Sequence, residues 1–431
     1  MNVSSNRCVR TMLNSLSKSI IALKKDPLVK KLSVPFQRKR KLPLTGLIRF
    51  LLWLDAPSIS FNLRTFFKNP MTRPSLAALC KRRKLLSPDI LARLFERTNQ
   101  YWNQFLPLRK QYYHKKYRLL ACDGSDFTTL RNPADSDSYF PAKKENAKSY
   151  NMYHLNAFYN VCTGCFEAAL IHSKRYDSER VSFLQLAQRY EKSTPTIFMM
   201  DRGFECWDIP LALTRSQNFF IMRVRVPQQH GILSSLELSS RDEEHTFSLK
   251  HRHAKTSLLH PQGWAYQKTD ESTDLQVTLR IITILKPHGE KDCLVTNLPA
   301  QAVTYRQIRY LYHRRWEIET AFRNLKWLVK TIYFHSRQKR QIFQELWAKL
   351  ILFNLYSMLQ KKLGTIRQKG HKHSCKISLS ALVQECRIYF LARGHDMHFL
   401  ENMAKAWVPL RHQRSAPRKV KTQGAKSFQY R

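Results

Sequence analysis

Acidic residues are scarce in this chain: 31 Asp and Glu stand against 74 Lys and Arg over 431 residues, a formal net charge of +43. Solubility requires far less, and so large a charge repels itself in the compact state. The economical explanation is a polyanionic partner, nucleic acid first. Charge leaves the activity open, because purely structural RNA binders are basic too. Long apolar runs are also missing. Nothing approaches the roughly 18 residues of a membrane span, and the apolar pieces Leu47–Leu54 and Leu350–Leu355 have the length of core helices. The opening MNVSSNRCVRTMLNSL has neither the long apolar h-region nor the small-residue cleavage site of a secretory signal, so a cytoplasmic protein is expected. The nine cysteines are odd in number and mostly scattered, as reduced thiols are. One close pair, Cys162 and Cys165, flanks Thr163-Gly164 between two strand-like runs. A hairpin turn explains that spacing better than a metal or redox site.

What is present argues for a folded chain: 43% hydrophobic and 12% aromatic residues suffice for two or three domains with a sizeable core. Residues 1–112 read as helical and basic, the expected DNA-binding region, with twelve basic residues and one acid in the first fifty. Within it RPSLAALCKRRKLLSPDILARLFERTN reads as two helices joined near Ser87-Pro88, either a helix-turn-helix with Lys81–Lys84 on phosphates or a small helical domain with a solvated basic face. Residues 113–225 change texture. Strand runs at Arg118–Cys122, Tyr153–Val161, Phe166–His172, Thr196–Met200 and Phe219–Val224, with a helix at Ser178–Tyr190, describe an α/β unit around a sheet. Residues 226–300 carry short alternating segments such as Leu275–Ile284, a β-rich insertion. Helical spacing returns at Tyr305–Lys330, Ile342–Lys361 and Ser378–Leu391, placing a second piece of the core at 301–365 and a helical region at 366–408. The tail, residues 409–431, is basic.

Two carboxylates stand where strand runs stop: Asp123 in ACDGSD and Asp201 in MMDRGF, with Asp126 the fallback for the first. Taken singly each is an ordinary turn. The stretch YLYHRRWEIETAFRNLK adds more. At 100° per residue, Tyr312, Arg315, Glu319 and Lys326 share an arc of about 60°, bordered by the apolar stripe of Leu311, Ile318, Phe322 and Val329. Glu317 points about 160° away from Glu319's stripe. The bland reading is a solvated face with an Arg315–Glu319 pair at i, i+4.

Tyr312-x2-Arg315-x3-Glu319-x6-Lys326 resembles the Y-R-E-K signature of bacterial DDE transposases in the family named after insertion sequence four, and the Asp123 and Asp201 elements precede it in the family's order. The resemblance implies an α/β, ribonuclease-H-like catalytic core with a β-rich insertion, flanked by helical N- and C-terminal regions. It also implies two Mg2+ or Mn2+ ions on Asp123, Asp201 and Glu319, with Tyr312, Arg315 and Lys326 on DNA phosphates. The expected activity is cleavage and strand transfer at insertion-sequence ends, acting on double-stranded DNA (terminal inverted repeats and target) as a homodimer in the DNA complex. Trp264, in the insertion, stands where some relatives stack a displaced base, although a tryptophan between strands is more often core; Trp316 is a second aromatic of interest. The alternatives are a ribonuclease-H-like nuclease or resolvase without strand transfer, or an inactive DNA-binding relative.

Overall fold

The computed structural model describes residues 3–38, 40–55, 58–142, 148–174, 178–190, 194–249, 275–286, 289–367, 373–392 and 398–410. Seven helices come first: α1 (Val3–Ala22), α2 (Pro27–Leu32), α3 (Leu44–Trp53), α4 (Ile59–Phe66), α5 (Leu76–Leu85), α6 (Pro88–Asn103) and α7 (Leu108–Gln111). Ser58, Ser75 and Ser87 start three of them, each hydroxyl accepting a first-turn backbone N–H. The joint between α5 and α6 falls near Ser87-Pro88 as the sequence indicates, but the basic run of α5 differs from expectation. Arg82 and Arg83 are buried, not on a DNA-facing surface. Arg82 donates to the carbonyls of Leu42 and Pro35, and Arg83 pairs with Glu345 at 2.7 Å. Position 83 lies toward the core, so its cation requires a buried carboxylate.

The sheet follows, with nine strands among the described residues: β1 (Arg118–Thr129), β2 (Tyr139–Phe140), β3 (Tyr150–Asn160), β4 (Cys165–Ser173), β5 (Thr196–Met200), β6 (Phe219–Val224), β7 (Asp242–Leu249), β8 (Leu275–Leu285) and β9 (Lys291–Thr296). Helix α8 (Glu179–Ala187) precedes β5, and α9 (Asp208–Arg215) joins β5 to β6. The order β4-β3-β1-β5-β6-β9-β8-β7 is mixed: β1, β5 and β6 run parallel and the other pairings are antiparallel. The strands expected within 226–300 therefore extend this sheet, with β9 against β6. At the β3–β4 hairpin Gly164 has φ +78°, and Cys162 and Cys165 are free, buried thiols beside it.

One expectation needs correction. The first strand does not stop at Asp123; it stays paired with β3 from Asp123↔Ala157 to Thr129↔Asn151, and its parallel neighbour β5 is the strand that ends, at Met200.

After the sheet come α10 (Tyr305–Arg314), α11 (Glu317–Trp327), the central α12 (Lys339–Leu363), α13 (Leu379–Leu391) and α14 (Phe399–Lys405), with a small sheet of β10 (Thr365–Ile366), β11 (Cys375–Ile377) and β12 (Trp407–Pro409). Apolar residues all around α12 bury it among α3, α6, α13 and β4. Its Asn354 bonds both backbone groups of Phe166 and the Asn99 side chain, fixing α12 to β4 and α6. The sheet separates two cores. Leu119, Ala121, Met199 and Ile221 face α10–α12, whereas Leu120, Cys122, Phe198 and Met222 face α8 and α9. No helix among the described residues is long and apolar enough to cross a membrane.

Candidate active site

Parallel pairing sets Ala121 beside Met199 and Met199 beside Ile221. Two residues further on, the same register aligns Asp123, Asp201 and Arg223 in one row. With a side-chain period of two, the row lies on the face turned to α10 and α11. Continuous β1 makes Asp123 rigid, and the end of β5 opens the sheet beside it.

Asp123 is 21% exposed and accepts the Gly124 N–H at 2.8 Å. Burial pushes its carboxyl up to about 6; the Gly124 N–H and Arg315 act the other way, while Asp201 and Glu179 push it further up. Asp201 caps the short turn Arg202–Phe204, accepting the Gly203 N–H at 2.9 Å.

The expected single helix Tyr305–Lys330 is two. Between α10 and α11 the chain tightens, with Arg315 N–H bonding Tyr312 O and Ile318 N–H bonding Arg315 O, both i to i−3. Tightening rotates α11 relative to a uniform 100° wheel, yet Arg315 and Glu319 still meet: Nη2 donates to Glu319 Oε1 at 3.1 Å. Arg315 is 5% exposed, and its Nη1 stands 3.9 Å from Asp123 Oδ2. Its Nε and Nη1 have no hydrogen-bond acceptor among the described residues. Tyr312 and Trp316 lie on the guanidinium at 5.9 and 5.5 Å, and burial pushes the Tyr312 hydroxyl up to about 12. Lys326 sits 5.0 Å from the Phe127 ring; burial lowers its pKa while Asp126 and Asp123 act against that. Glu317 is elsewhere, 2.7 Å from Arg314, which also donates to Val161 O at the β3–β4 turn.

Thus Asp123, Asp201, Glu319, Arg315, Tyr312 and Lys326 gather on one side of the sheet. Asp126 does not. It alternates to the opposite face, where His154 and Lys174 hold its carboxylate at 2.5 and 3.3 Å. Trp264 lies outside the described residues. Two side chains escaped the sequence reading. Arg223 gives no signal beyond being a cation in a strand, and Glu179 gives none beyond being an acid in the first turn of its helix. Among the described residues no three His, Cys, Asp or Glu side chains stand close enough together to hold a metal ion; Arg315 lies between Asp123 and Glu319. The donor chemistry nonetheless suits Mg2+ or Mn2+, since all three candidates offer hard carboxylate oxygens and the buried Asp123 gains most from a cation.

Residues 114–355 fit the family described as transposase DDE domain, and the chain belongs to that family. It is 25% identical over 410 residues to the transposase InsG for insertion sequence element IS4 of Escherichia coli (strain K12), covering 89% of this chain and 86% of that protein. The chain is therefore a DNA transposase of the insertion-sequence-four type. Among solved structures, the synaptic complex of piggyBac transposase with hairpin DNA aligns at a TM-score of 0.42 and 11% identity, over 94% of this chain and 88% of that one.

Proposed function

We propose that Asp123, Asp201 and Glu319 are the catalytic acids with which this transposase cuts DNA at the ends of its insertion sequence and joins the freed 3′ ends to a target. The row formed by Asp123 and Asp201, lying beneath the Arg315–Glu319 pair, carries this reading. The order β4-β3-β1-β5-β6, three antiparallel strands followed by two parallel ones, supports a ribonuclease-H-like core, extended here by β7–β9. Two divalent ions, Mg2+ or Mn2+, held by the three acids would activate water or a 3′-hydroxyl and stabilise the leaving oxygen.

The chain's own residues do the rest. Arg315 offers two buried N–H donors with no acceptor among the described residues, the kind of group that takes phosphate oxygens strongly. Lys326 adds a further cation, Arg223 brings a guanidinium that also pairs with Asp292, and Tyr312 orients the Arg315 fork. The helices of residues 1–112 and the basic tail supply further DNA contacts, with terminal inverted repeats as substrate and a homodimer pairing two ends.

The test is a nicking and joining assay on DNA carrying the element's own ends. Mg2+ and Mn2+ should support both steps, and Ca2+ binding alone. Asp123→Ala and Asp201→Ala should abolish nicking while DNA binding persists. Nicking without joining would favour a nuclease, and activity surviving in Asp123→Ala but lost in Asp126→Ala would overturn the choice of the first acid.

A further inference from the structure

Glu179 opens α8 on the face of the sheet opposite α11, yet its carboxylate lies against the backbone that carries two of the candidate acids. A Cβ on Gly124 would stand 2.6 Å from Glu179 Oε1 and 2.1 Å from His154 Nε2. A Cβ on Gly203 would stand 3.5 Å from Glu179 Oε2 and 3.1 Å from Asp201 Oδ1. The Glu179 carboxylate thus fills the space that Gly124 vacates beside Asp123, and it lies at ordinary contact distance from Gly203 beside Asp201. Neither glycine has a positive φ, so what requires glycine at position 124 is room for these side chains.

A buried arm holds Glu179 there. His154, 3% exposed, has one ring nitrogen 3.3 Å from Glu179 Oε1 and the other 2.5 Å from Asp126 Oδ1. Asp126 and His154 are direct cross-strand partners, so the arm is as rigid as the β1–β3 ladder. Lys174 braces it, 3.3 Å from the same Asp126 oxygen. An acid in the first turn of a helix is stabilising by itself, but that benefit needs neither the vacated space nor a buried imidazole. Carboxylates that hold metal ions are themselves fixed by outer polar partners, and His154, fixed in turn by Asp126, is placed to act as such a partner for Glu179.

We propose that Glu179 is a fourth carboxylate of the divalent-cation site and that His154, held by Asp126, positions it. This rests on the reading of Asp123, Asp201 and Glu319 as that site. Mg2+ and Mn2+ keep several waters, so a carboxylate one water away still contributes to holding them.

The experiment is Mn2+ binding to the full chain without DNA, followed by electron paramagnetic resonance, with thermal melts in metal-free buffer alongside. Glu179→Gln should weaken Mn2+ binding by about tenfold while the metal-free melting temperature does not fall. His154→Gln should cause a smaller loss in the same direction. Glu179→Asp, which keeps the charge but withdraws it by one methylene, should also weaken binding and serves if the glutamine variant folds poorly. Wild-type affinity in folded Glu179→Gln, with affinity lost in Asp123→Asn, overturns the role of Glu179 and leaves the three-acid reading standing. Unchanged affinity in Asp123→Asn overturns both.

Discussion

Arg315 holds Glu319 at 3.1 Å with one terminal nitrogen while the other stands 3.9 Å from Asp123, so a single guanidinium spans an acid from a helix and an acid from a strand. At the same time the Arg315 side chain is buried, with two N–H groups that have no hydrogen-bond acceptor among the described residues. Arg315→Ala should therefore weaken assembly on cleaved DNA ends and slow turnover, while Mn2+ binding persists, because the variant removes a cation from the acids. Arg315→Lys should recover only part of the activity, lacking the fork. Gel-shift titrations with pre-cleaved ends and a Mn2+ titration separate the two effects; a parallel loss of Mn2+ affinity would mark a misfolded α10–α11 joint instead.

The two glutamates of α11 should behave differently. Glu319 faces Asp123 through Arg315, whereas Glu317 pairs with Arg314 toward the β3–β4 turn. Glu319→Gln should lose both cleavage and strand transfer with its melting temperature kept. Glu317→Gln should retain most activity, since a half-exposed pair contributes at most about 1 kcal/mol. Reversed phenotypes in the same cleavage assay would refute the assignment.

Glu345 predicts a pH effect far from the chemistry. Burial would raise its carboxyl, but Arg83 and His335 outweigh burial and bring it down to about 2 from an ordinary 4.5. The folded value lies below the unfolded one, so the stabilisation is present above pH 4.5 and lost as pH falls toward 2. Glu345→Gln should destabilise the fold by about 3–5 kcal/mol at neutral pH, because Arg83 is left buried without its partner. In urea titrations the gap between wild type and variant should narrow by about 3 kcal/mol as pH drops through that window. A constant gap would show that the ion pair does not tie α5 to α12.

The basic run of α5 should divide by burial. Lys81→Ala and Lys84→Ala, at exposed positions, should lower DNA affinity and flatten its salt dependence with stability unchanged. Arg83→Ala should instead lower the melting temperature. Removing residues 411–431, which carry seven Lys and Arg, should also flatten the salt dependence without abolishing cleavage. An unchanged slope after that truncation would place the tail off the DNA.

The sequence by itself determined a good deal. Strands β5 and β6 fall where their apolar runs begin and end, and Ser178 caps its helix, since local patterning and hydroxyl capping depend on near neighbours. The spacing within α11 from Ile318 to Lys326 was legible for the same reason, whereas the break between α10 and α11 was not. Tertiary structure decided the rest. β1 runs on past Asp123 because β3, about thirty residues later, keeps pairing with it. Whether Arg83 meets DNA or Glu345 depends on a contact 262 residues away in the chain. Glu179 could not be singled out from its own surroundings. Its place beside Asp123 and Asp201 exists because a glycine on β1 leaves room for it, the turn after β5 passes beside it and a histidine on β3 stands against it, and such coincidences of register are set by the packed sheet alone.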